Sequence, residues 1–116
     1  MPASSESEFL RRGGERKRLP EAFDRILAEF SEPGKKSHVG RLWDLSSQGA
    51  CMILLGRVVI QENTIGSLTF RSVDTLQEQT QLAEVCWTYA QENTTMIGFV
   101  FGSTLPASGH FLSPYL

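Results

Sequence analysis

This 116-residue chain has only two cysteines and two histidines, little for a disulfide framework or a nitrogen- and sulfur-ligated metal ion. Cys51 and Cys86 each sit in an apolar stretch, "ACMILL" and "AEVCWTY". Disulfide scaffolds use more cysteines at clearer spacing, so both read as buried, reduced thiols of a cytoplasmic protein. His38 and His110 have no ligand-type residue three or four positions on, and there is no CxxC pair, so no metal site is expected. No apolar run approaches the ~20 residues that cross a bilayer. The N-terminal "MPASSESEFL" lacks the basic start and apolar stretch of a secretory signal, and membrane insertion is not expected either. Gly-x-x-x-x-Gly-Lys-Ser/Thr and Gly-x-Gly-x-x-Gly are both missing, which excludes the usual mononucleotide and dinucleotide loops. Ser46 and Ser47 lie near Asp44, but no histidine is close in sequence to act as their base. The chain does not read as an enzyme.

Charge of one sign is also lacking overall, at net −2, but it is unevenly spread. Residues 11–18, "RRGGERKR", hold five basic residues against one acid, whereas residues 1–10 carry Glu6 and Glu8. The body after residue 18 is therefore acidic. A basic segment on an acidic body calls for an anionic partner. The net negative charge argues against DNA or RNA as that partner.

The composition, 41 % hydrophobic and 21 % charged, suits one domain with a single core. Residues 1–8 are polar and serine-rich, and residues 11–18 show no periodicity, so residues 1–18 read as a flexible arm. "LPEAFDRILAEF" is two-faced: Leu19, Phe23, Ile26, Leu27 and Phe30 share a helical face, while Ile26, Ala28 and Phe30 also alternate as a strand would. "SEPGKKS" is a turn punctuated by Pro33-Gly34. Strand patterns follow in "HVGRLWDLS", "GACMILL", "IGSLTFRSV", "LAEVCWTYA" and "TMIGFVFG", with "RVVI" as a further short candidate. In "LAEVCWTYA", Ala83, Val85 and Trp87 alternate against Glu84, Cys86 and Thr88. "SVDTLQEQTQ" reads as a polar hairpin loop, and the proline-interrupted tail from Ser103 argues against a long helix. About six short strands between polar turns predict a small all-β barrel or sandwich.

Between two of these strands lies Asp-x-Ser-x-x-Gly, at Asp44, Ser46 and Gly49. With "GRLWDLS", the preceding basic arm, and the closing pattern Val85-x-Trp87, turn, apolar strand with Gly98, the chain resembles the PilZ domain family over residues 11–102. The resemblance implies an all-β fold, a small six-stranded antiparallel barrel over residues 19–105, with residues 1–18 as arm and 106–116 as a short tail. It makes a strand near residues 25–31 the expectation, with room for a helical turn at 20–24. It implies a cyclic di-GMP receptor that changes arm conformation and protein partner on binding. The ligand would contact Arg12, Arg16, Arg18, Asp44, Ser46 and Gly49. Arginines grip phosphate in bidentate fashion and stack on guanine. Asp44 can accept from the guanine N1–H and N2–H₂ edge, Ser46 adds a hydroxyl, and Gly49 permits a positive φ or a close backbone approach. The family's Arg-x-x-x-Arg fits Arg12 and Arg16, but Arg16 lies 28 residues before Asp44, further than the family's usual spacing. A second register, anchored on "RLP", uses Arg18 with Gly14 in the first arginine's place. Either the hairpin around "SEPGKK" carries an insertion or the pair is broken. In the second case the chain would be a degenerate adaptor that binds a protein, such as a motility or secretion component, without the nucleotide.

Overall fold

The computed structural model describes the backbone of residues 17–18 and all of residues 24–116. Strand β1 is Lys17–Arg18, β2 Ile26–Ser31, β3 His38–Leu45, β4 Gly49–Leu55, β5 Ile65–Ser72, β6 Glu78–Ala90 and β7 Thr94–Phe101; a 3-10 turn spans Ser113–Tyr115. Strands β2 to β7 pair antiparallel in the order β3-β2-β5-β6-β7-β4, and β4 returns to pair with β3. The sheet is thus a closed six-stranded antiparallel barrel. A barrel this small has no lumen, so its inward positions must be filled by side chains.

Strand period supplies that filling. Ile26, Ala28 and Phe30 of β2, Leu68 and Phe70 of β5, and Ile97, Phe99 and Phe101 of β7 are all buried in one cluster. Phe30 meets Phe99 with ring centroids 4.9 Å apart, and Phe70 meets Phe101 edge-on at 6.1 Å. The two-faced segment resolves to a strand because β2 has partners on both edges, β3 and β5. Leu27, which completed the helical pattern, faces outward instead. The helical turn expected at 20–24 falls almost wholly outside the described residues. The turn before β3 behaves as its sequence asks: Pro33 and Gly34 occupy its centre, Gly34 takes φ +76°, and the Lys35 amide donates to the Glu32 carbonyl at 3.2 Å.

Three details depart from the sequence pattern. "RVVI" is a loop: the Val58 amide donates to Thr95 Oγ1 at 3.0 Å, and that hydroxyl donates to the Gly56 carbonyl at 2.8 Å. The loop turns Ile60 into the core while Val59 is 93 % exposed. Second, "SVDTLQEQTQ" is only partly a loop, because β6 already begins at Glu78 and pairs with Arg71. Arg71 Nε lies 2.6 Å from Glu78 Oε2 there, an exposed ion pair of small weight. Third, the alternation across β6 breaks. The β6–β7 register shifts between Val85 and Trp87, so Val85 opposes Phe99 and Trp87 opposes Gly98. One extra residue, Cys86, reverses the facing of everything beyond it. Trp87 therefore leaves the barrel interior and packs outside with Cys51, Trp43, Cys86, Tyr89 and Met96.

Gly98 is what lets the indole lie there. A Cβ on Gly98 would sit 2.3 Å from Trp87 Cε2 and Nε1. Gly98→Ala should force the ring off the barrel wall and cost about 1–3 kcal/mol; urea unfolding followed by tryptophan emission measures it. Phe30→Ala, which empties the centre of the core, should cost about 3–5 kcal/mol in the same assay.

Candidate functional site

Strand β3 carries the signature, and its backbone is shared among three partners. On one edge it pairs with β4. On the other it pairs with β2 through Arg41↔Leu27, and then with β1 through Asp44↔Arg18 and Leu45↔Lys17. The β3–β4 register shifts between Leu42 and Asp44. Leu42 opposes Met52 inside the barrel, Trp43 is the extra residue, and Asp44 opposes Cys51 on the outer face, whereas Leu45 opposes Ala50 inside again. The bulge thus sets Trp43 and Asp44 side by side on the outside. Asp44 is nonetheless only 4 % exposed. A carboxylate this enclosed has little freedom to move.

Residues 46–49 form the hairpin turn. The Ser46 amide donates to the Gly49 carbonyl at 2.9 Å, and the Gln48 amide donates to Ser46 Oγ at 3.2 Å. The Ser46 hydroxyl also points to the Gly49 carbonyl, at 3.4 Å. Ser46 is buried, so this hydroxyl shapes the turn from within. Gly49 opens β4 opposite Val100 in extended backbone. Among the described residues, positive φ at glycine occurs only at Gly34, Gly56 and Gly109, so positive φ is not what position 49 requires.

Arg18 is brought to the signature by its backbone, directly across from Asp44. Arg12 and Arg16 lie outside the described residues, as does the Arg18 side chain. The arm register has a further consequence. From Arg18 to Leu27 the chain uses nine positions, while their partners Asp44 and Arg41 are three apart on β3. Six surplus positions therefore fall between β1 and β2.

Two features of the site carried no local sequence signal. The carbonyls of Ser47 and Gln48 accept hydrogen bonds from the amides of Leu105, at 2.7 Å, and Phe101, at 2.8 Å. Further along the outer face, Leu27, Val39, Ile53 and Leu55 border an apolar groove of about 460 Å³ with Arg41 among its lining. Leu-Pro at 105–106 does signal extended backbone at Leu105, but not its partner. Among the described residues, no group of three or more His, Cys, Asp or Glu side chains gathers as a metal site, and no helix is long and apolar enough to cross a membrane.

The comparisons with known proteins agree with this geometry. The barrel superposes on the crystal structure of the Borreliella burgdorferi PlzA protein in complex with c-di-GMP, with a TM-score of 0.59 and 12 % identity. The match covers 91 % of this chain and 51 % of that one, so this chain spans about half the length of PlzA, and at that identity the likeness is one of fold. No curated protein matches the sequence. The family model for the PilZ domain matches residues 11–110, nearly the whole chain. The bulged β3, the signature turn and the arm strand paired against it are thus parts of a chain that belongs to the PilZ domain family, a family of non-catalytic receptor and adaptor domains.

Proposed function

We propose that the domain is a cyclic di-GMP receptor whose arm closes over the outer face of β3. The observation that carries this reading is the pairing of Arg18 with Asp44, which brings the basic arm alongside the signature. Family membership and the fold shared with PlzA, a protein crystallised with c-di-GMP, support it.

The chemistry follows from the residue types. Two phosphodiesters need cations, and the arm supplies Arg12, Arg16 and Arg18. Asp44, fixed by burial, accepts from the N1–H and N2–H₂ edge of a guanine. Ser46 acts by holding the turn, and Gly49 keeps the start of β4 free of a side chain. The six surplus positions between β1 and β2 lengthen the interval from Arg16 to Asp44, and Arg12 and Arg16 offer the spacing of an Arg-x-x-x-Arg pair. Ligand contact with these arginines would order the arm and change the surface offered to a protein partner.

A second reading has its own observation. The outward groove beside Leu27 and Val39 leaves Leu55 87 % exposed, as a protein-binding adaptor without nucleotide affinity would. Titration calorimetry separates the two. Asp44→Ala, and the substitution by alanine of whichever of Arg12, Arg16 and Arg18 grips phosphate, should each cost about 1.5–3 kcal/mol of binding, or roughly 10- to 150-fold in Kd. No heat from folded wild-type protein at tens of micromolar would sink the receptor reading and leave the adaptor. Ser46→Ala, by contrast, should lower stability by about 0.5–1.5 kcal/mol through loss of the turn's internal bond, as read from urea midpoints.

A further inference from the structure

The hairpin turn that carries the signature has no free central carbonyl. In a two-residue hairpin loop the two middle carbonyls normally face water. Here the Ser47 carbonyl accepts from Leu105 and the Gln48 carbonyl from Phe101. Both donors belong to one stretch of chain, the end of β7 and the crossing that follows it. That crossing is itself tied down. The Gly102 amide donates to the Leu82 carbonyl at 2.7 Å, and Gln81 Nε2 donates to the Ser103 carbonyl at 3.1 Å, so β6 holds it from the other side.

Leu105 is the anchor. Its side chain is 1 % exposed and belongs to the barrel core. Pro106 restrains residue 105 to extended backbone, which aims its amide outward at the turn while its side chain points in. The following residues fold back on themselves. His110 Nε2 lies 2.5 Å from the Pro106 carbonyl, and the Leu112 amide donates to His110 Nδ1 at 3.2 Å. An accepting Nδ1 leaves Nε2 as the donor, so one neutral tautomer satisfies both bonds. This clip delivers Leu112, fully buried, to the same core. The C-terminal segment therefore closes the barrel at the end of β7 where the signature turn lies, as the loop carrying Ile60 closes it near the start of β7.

We infer that Leu105 is a positioning residue for the ligand site: by plugging the barrel end it holds the 46–49 turn through the Ser47 carbonyl and so fixes Asp44 for recognition. The turn cannot shift by an ångström without stretching two hydrogen bonds and disturbing a buried leucine. The coupling is reciprocal, so a ligand that fixes the turn also quiets the tail. The ligand arm of this inference rests on the receptor reading above; the structural arm does not.

The test compares Leu105→Ala with Leu68→Ala, a core truncation in β5 remote from the turn, and with the conservative Leu105→Met. Amide hydrogen exchange is read at Ser46, whose amide closes the turn, together with global stability by urea. With protection scaled to each variant's global stability, Leu105→Ala should lose about tenfold more protection at Ser46 than Leu68→Ala, and Leu105→Met should restore it. Equal losses in the two alanine variants, or an unchanged Ser46 amide in Leu105→Ala, would overturn the inference. Should Leu105→Ala fail to fold, Leu105→Val against Leu68→Val reads the same contrast. For the ligand arm, cyclic di-GMP affinity should fall about tenfold in Leu105→Ala and stay within twofold of wild type in Leu68→Ala at a temperature where both are folded; equal affinities in the two variants would refute it. Addition of the dinucleotide to wild type should raise protection at the Leu105 amide. A wild type that binds no dinucleotide defeats the receptor reading alone, because the exchange contrast at Ser46 still decides whether Leu105 positions the turn.

Discussion

The pairing of β3 with β4 is the constraint on which this molecule depends. It closes the barrel, and a closed six-stranded barrel must keep Leu42, Leu45, Ala50 and Met52 facing inward. A regular strand cannot place both Leu42 and Leu45 inside, since they are three positions apart and strand faces alternate with period two. One extra residue removes the conflict. The bulge at Trp43 lets both leucines face the core and leaves Trp43 and Asp44 together outside. The position of the Asp44 carboxylate is thus a by-product of filling the barrel.

The same strand serves the arm. Once β2 stops pairing at Arg41, the edge of β3 beyond it is taken up by β1 at Asp44 and Leu45. The signature consequently lies where three segments meet: the hairpin that closes the barrel, the basic arm, and the C-terminal crossing. Backbone hydrogen bonds hold the turn from the barrel side, and the Ser46 hydroxyl holds it from within. The turn is therefore ordered by the fold itself, through bonds made on both of its sides.

Much of this was legible in the residues. Pro33-Gly34 specified its turn because few residues accept the left-handed conformation that its second central position needs. The strands β3 and β5 announced themselves by period two, and β4 by a short apolar run. The misleading positions have particular causes. Leu27 made β2 resemble a helix because it is an outward apolar residue, and local periodicity cannot tell an exposed groove from a buried face. "RVVI" looked like a strand because Val58 and Ile60 are apolar and β-branched, yet their task is to cover a barrel end. Period two groups Trp87 with Ala83 and Val85, and the one-residue bulge that separates them leaves no mark in composition.

The sequence by itself determined the material of the barrel and the identity of the signature, since strand period, turn chemistry and the Asp44, Ser46, Gly49 pattern are all local properties of the chain. Tertiary structure alone decided which face Asp44 and Trp87 occupy, that Arg18 lies opposite Asp44, that the surplus length falls between β1 and β2, and that Leu105 reaches the turn. Each of these depends on register, and register is fixed only when the barrel closes and every inward position must be filled at once.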